Sequence, residues 1–162
     1  MMETKKVLIG VVIFLCGIIA GLCIYVALAP AGSTGWPGHY YTNEAPEPIG
    51  PYSQAASAGS LVFTSGQIGI DPATGDLVKG IENQTMQVME NLNAVLSSAD
   101  LGFSDVVSTH VYVADLGDWD TVNSIYGSYF GENPPARCVI EAGELPRGAL
   151  IEIEMIAVRS VE

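Results

Sequence analysis

Residues 149–158 read Ala-Leu-Ile-Glu-Ile-Glu-Met-Ile-Ala-Val, and their alternation decides the kind of fold. Successive side chains of a strand point to opposite faces, so Ile151, Ile153 and Met155 share one face. Glu152 and Glu154 share the other, about 7 Å apart. One face therefore seals a core, while the acidic face reads equally well as the solvated side of an antiparallel sheet.

Outward from that strand the pattern changes period. Residues 136–142 (ARCVIEA) and 106–114 (VVSTHVYVA) are rich in β-branched and apolar residues and read as strands. Over residues 81–99, Ile81, Val88, Met89, Leu92, Val95, Leu96 and Ala99 fall at helical spacing and make one apolar face. A second helix is predicted over 118–130, with Trp119, Val122, Ile125, Tyr126 and Tyr129 inward and Asp118 as its N-cap. Leu61-Val-Phe-Thr64 is a further strand, followed by a turn at Asp71-Pro-Ala-Thr-Gly75. The order strand, strand, helix, strand, helix, strand, strand predicts an α+β domain, a mixed β-sheet with two helices on one face.

The N-terminal part is unlike the rest. Residues 7–29 contain no charged residue, and as a helix they would extend about 35 Å, enough to cross a bilayer core of about 30 Å. The expectation is one N-terminal transmembrane helix. A cleaved secretory signal competes with it, since Ala27-Leu28-Ala29 has a small-x-small form, but the apolar run is long for a signal and Pro30 follows directly. Lys5 and Lys6 precede the run and no basic residue follows until Lys79, which predicts a cytoplasmic N-terminus and an extracytoplasmic domain. The expected organisation is a short basic N-terminus at 1–6, a membrane helix at 7–29, a flexible linker at 30–40 and one domain at 41–160.

Charge narrows the function. Beyond residue 29 there are four basic residues, Lys79, Arg137, Arg147 and Arg159, against 17 acidic ones, a formal charge of −13. Polyanions are repelled, so nucleic acid is not an expected partner. Cys138 is the one cysteine outside residues 7–29, which precludes a disulfide within the domain. His39, His110 and Cys138 have no metal-ligand spacing, and no GxSxG, phosphate-binding loop or GxGxxG occurs.

Two residues stand out chemically. Arg137 sits in an apolar strand after Pro134-Pro135, and a buried guanidinium requires an anionic partner, either a glutamate or a ligand. An arginine gripping a carboxylate by its fork, with Glu152 handling a water or a proton, suits a small keto-acid-like molecule. Cys138 is expected to point to the opposite face of its strand as a small buried packing residue. Ser65 has no evident base.

Several runs occur together and in order: Ala45-Pro46, Ile49-Gly-Pro-Tyr-Ser-Gln54, Thr64-Ser-Gly-Gln67, Asp71-Pro with Thr74-Gly75, Glu90-Asn91-Leu92, Asn133-Pro-Pro-Ala-Arg137, Leu145-Pro146 and Ile151-Glu-Ile-Glu154. With these the chain resembles the reactive-intermediate deaminase (Rid, or YjgF) family over about residues 41–160. The resemblance implies a chorismate-mutase-like domain that assembles as a homotrimer with active sites between subunits. It also implies hydrolysis of enamines and imines of the 2-aminoacrylate and 2-iminopropanoate type to 2-keto acids and ammonia, with no metal and no cofactor. By the same resemblance Arg137 binds the substrate carboxylate and Glu152 orients or activates water. Tyr52, Ser65 and Asn123 line the cleft, and Cys138 offers mainly backbone contacts. A module that binds a small carboxylate such as a 2-keto acid without turnover is the alternative.

Overall fold

The structure, a computed structural model, describes residues 38–160. The expected membrane helix at 7–29 and most of the expected linker lie outside the described residues. Among the described residues no helix is long and apolar enough to cross a membrane.

Seven strands form one sheet, ordered β1-β2-β3-β7-β5-β6, with β4 also paired to β7. They are β1 (Gly38–Tyr40), β2 (Ala55–Ala58), β3 (Leu61–Thr64), β4 (Gln67–Ile68), β5 (Val106–Val113), β6 (Ala136–Glu141) and β7 (Ile151–Val158). Helices α1 (Ile81–Ser97) and α2 (Trp119–Ser128) connect the later strands. Every pairing is antiparallel except β5 with β6, whose parallel register is bridged by α2 as a crossover. The mixed sheet with two helices is thus as the residue pattern predicts.

The alternation of residues 149–158 has the expected effect. Ile151, Ile153 and Met155 are buried against Val88, Met89, Leu92 and Leu96 of α1, while Glu152 and Glu154 are only half-buried on the other face. The same division runs through β5, where Thr109, Val111 and Val113 are buried and His110 and Tyr112 are not.

Two local expectations are adjusted, and two short strands are new. Gly38–Tyr40, expected within a loose linker, forms β1, whose backbone pairs with β2. Edge pairing depends on a neighbouring strand and leaves little trace in three residues. Asp118 does stand at the N-cap of α2, as expected, but its side chain makes no capping bond; Asp115 accepts from the Gly117 N–H at 2.7 Å and caps a short turn that leads into α2. The short strands β2 and β4, with sequences Ala-Ala-Ser-Ala and Gln-Ile, carry too weak a β pattern to be read locally.

Two contacts fasten α1 to the segment that carries the site. Gly69 lies so close to the helix that a Cβ there would approach the Gln84 Cα to 2.7 Å. Asn91, wholly buried, donates its amide to the carbonyls of Ile68 (3.2 Å) and Ile70 (2.9 Å). Asn91→Ala removes both bonds, and the Ile68 carbonyl keeps only the Ile70 N–H at 2.7 Å. A loss of about 1–3 kcal/mol is expected, seen as a lower urea midpoint.

Candidate active site

The end of β3 turns sharply at Ser65-Gly66 and opens a cavity of about 290 Å³ lined by Pro46, Ile49, Tyr52, Ser65 and Glu152, among others. Its wall is built by Gln54. That buried amide accepts from Thr42 N at 2.6 Å and donates to the carbonyls of Thr42, Ala45 and Pro46, drawing the proline-rich segment over the sheet. A turn at 43–45 brings the carbonyls of Thr42, Ala45 and Pro46 to one side, so all three converge on one side chain. Tyr52 closes a tight turn, its hydroxyl accepting from Ile49 N at 3.3 Å. Ser65 Oγ donates to the Ser53 carbonyl at 2.6 Å, which ties the two walls together.

Glu152 projects into this cavity past Gly66. A Cβ on residue 66 would collide with the Glu152 carboxylate, so the glycine is what admits it. Burial, and secondarily the charge of Glu154, pushes the Glu152 carboxyl above its ordinary value. Glu154 is engaged elsewhere: its Oε1 lies 3.0 Å from His110 Nδ1 and accepts from the Tyr112 hydroxyl at 3.4 Å. Of the two acids, Glu152 is the one directed at the cavity.

Arg137 stands apart from that cavity. Its guanidinium lies 4.6 Å from the ring centroid of Trp119 and 4.6 Å from that of Tyr126, and Nη2 donates to Asn123 Oδ1 at 2.9 Å. All three partners are on α2. Tyr126 is itself anchored, its hydroxyl 2.7 Å from the Oγ1 of buried Thr109. Burial pushes the Tyr126 hydroxyl above its ordinary value, against the pull of the Thr109 bond and of Arg137.

The expected site residues therefore fall into two groups. Tyr52, Ser65 and Glu152 converge on one cavity; Arg137 and Asn123 converge on the surface of α2. The register shows why they do not meet within one chain. Arg137 pairs with Thr109, on the helix side of the sheet, whereas Glu152 pairs with Tyr112, on the open side. Two further expectations are corrected. Arg137 is exposed rather than buried, since β6 is the edge strand and the two rings of α2 cover its guanidinium only in part. Cys138 is exposed rather than a buried packing residue, because its side of β6 belongs to the open face.

Gly66, Trp119 and Tyr126 were not expected as site residues. Gly66 lies inside the Thr64–Gln67 motif. The two aromatics had been accounted for by the apolar face of their helix.

Comparison with known proteins places this geometry. Residues 42–159 match the family described as Endoribonuclease L-PSP. A RutC family protein of Pyrococcus horikoshii is 51% identical over 118 residues, which are 72% of this chain and 94% of that protein. The 2-iminobutanoate/2-iminopropanoate deaminase of Mus musculus is 44% identical over 119 residues, 73% of this chain and 88% of the enzyme. The crystal structure of Escherichia coli TdcF with bound serine superposes with a TM-score of 0.74 at 38% identity, covering 76% of this chain and 99% of TdcF.

These matches overturn the expected single-pass localisation with an outward-facing domain. The matches span 94% of the Pyrococcus protein and 99% of TdcF, so these relatives consist almost wholly of the domain itself.

Proposed function

The chain belongs to the Endoribonuclease L-PSP family, which includes the Rid deaminases, and from that premise we propose that it hydrolyses 2-imino acids and their enamine tautomers to 2-keto acids and ammonia. The observation that carries this reading is Arg137. Its guanidinium is held by two rings and an amide oxygen, with no carboxylate among the described residues upon it, and so offers N–H donors to an anionic ligand.

The chemistry asks little of the protein. An imine carbon is already electrophilic, so fixing the substrate carboxylate and placing one water against the C=N carbon supplies most of the acceleration. In the proposed course Arg137 grips the carboxylate while Glu152 takes a proton from the attacking water. The water oxygen bonds to carbon, and the nitrogen gains protons and leaves as ammonia when the carbonyl forms. The raised affinity of Glu152 for protons suits both halves of that cycle, because a group that titrates closer to neutrality accepts and returns a proton readily. Tyr52 and Ser65 line the water side of the cleft, and Asn123 steadies the arginine.

Arg137 and Glu152 lie on opposite faces of one sheet, which supports a cleft completed between subunits, as a homotrimer would provide. The open face of the sheet carries Phe63, Val107 and Ile140, each more than 40% exposed in the single chain, and such a patch favours association with further copies. Cys138 lies on this same face, where contact through its backbone is its proposed part.

A ribonuclease activity is not supported. Arg147 is bonded to the Gly75 carbonyl and Arg159 to Tyr40 and the Ala99 carbonyl, which leaves Lys79 and Arg137 against 17 acidic residues, too few cations to track a phosphate backbone. The serine held by TdcF favours one second reading, a module that binds a small carboxylate without turnover. The deciding measurement uses purified full-length protein, with 2-iminopropanoate generated in situ by an amino-acid oxidase. Faster release of pyruvate and ammonia than in buffer is expected. Binding of pyruvate without any acceleration would establish the binding module instead.

A further inference from the structure

We propose that Trp119 and Tyr126 are positioning residues that form an aromatic clamp on Arg137 and set the plane in which the substrate carboxylate is received, an inference that rests on the reading above. The argument is geometric. A guanidinium is flat, with five N–H donors directed outward in its plane and none perpendicular to it. Here two rings lie at equal distance, 4.6 Å, from its central carbon, and Asn123 takes one of its in-plane donors at 2.9 Å. Contacts of a cation over ring faces are attractive in themselves and strengthen where water is displaced.

The clamp has two effects on the edge left free. An exposed arginine on a sheet edge samples many rotamers, and holding it against the rings before the ligand arrives removes ordering that binding would otherwise cost. Fixing the plane also favours a carboxylate, whose two oxygens can lie in that plane and meet two parallel N–H donors.

The clamp is itself braced. Tyr126 is almost wholly buried and bonded through its hydroxyl to Thr109, the residue that pairs with Arg137 in the sheet. Trp119, in the first turn of α2, is only half-buried, so it can be altered with less damage to the core.

The test compares Trp119→Leu and Trp119→Phe with the parent, all as full-length protein. KM for in situ 2-iminopropanoate, kcat, the calorimetric Kd of pyruvate and Tm are measured for each. Loss of one stacked face predicts a rise of about tenfold in KM and in the pyruvate Kd for Trp119→Leu, with a much smaller change in kcat. Trp119→Phe, which restores a ring face, is expected to recover most of that loss even if its Tm stays low. Unchanged KM and Kd in Trp119→Leu would overturn the clamp, as would losses in both variants that simply track Tm. Should the parent bind pyruvate in this Trp119-dependent way yet hydrolyse no imine, the clamp stands and the deaminase reading falls. A parent that neither hydrolyses imine nor binds pyruvate overturns both.

Discussion

Arg137→Ala is expected to lower kcat/KM for 2-iminopropanoate by about two to three orders of magnitude, since removing one member of a charge-assisted pair typically costs about 2–5 kcal/mol. The fold is expected to survive. Arg137 is exposed, its guanidinium contacts run only to side chains of α2, and Tyr126 keeps its Thr109 bond without it. Circular dichroism and Tm close to those of the parent, together with lost turnover, are the expected pair of results. Arg137→Lys is expected to recover little, because an ammonium offers a point charge in place of a planar fork. Imine hydrolysis that continues undiminished in the alanine variant would remove the arginine from the mechanism.

Glu152→Gln is expected to act in two directions at once. Turnover should fall by about 10²–10⁴-fold, the usual contribution of a positioned acid–base group. Stability at neutral pH should rise, because burial and the neighbouring Glu154 charge both disfavour the ionised carboxylate that the amide replaces. The sign with pH follows from the same shift. A carboxyl whose folded-state proton affinity is raised favours folding at pH values below its ordinary range, and that advantage is lost as pH rises through the raised value. The Tm gained by Glu152→Gln is therefore largest at neutral and alkaline pH. It disappears on acidification, where the parent's Glu152 is itself neutral. The acid limb of the parent's pH–rate profile should likewise lie above the ordinary glutamate range, and Glu154→Gln should move it down. A Tm gain that is independent of pH would refute this account of Glu152.

Residues 149–158 show how far local pattern reaches. Their alternation places Glu152 and Glu154 opposite Ile151 and Ile153 whatever the strand pairs with, because the two-residue period is set by backbone geometry alone. Both helices were legible for the same reason, as were the acidity of the domain and the motif runs that mark its family. The weak strands β1, β2 and β4 were not, since small or polar residues become strand only when a neighbour supplies the hydrogen bonds.

What the amino-acid order determined by itself, then, is the list of elements, the faces they bury and the residue types held ready for chemistry. It suggested a membrane helix as well, at residues outside the described ones, and the localisation drawn from it is the part that the relatives overturn. Only the tertiary structure decided how the candidate residues group. That Glu152 shares a cavity with Tyr52 and Ser65 depends on Gln54 drawing distant carbonyls together and on Gly66 leaving room. That Arg137 lies on the other side of the sheet depends on the register of β5 with both of its neighbours. Register is fixed by hydrogen bonds between segments far apart in the chain, and no short stretch of sequence encodes it.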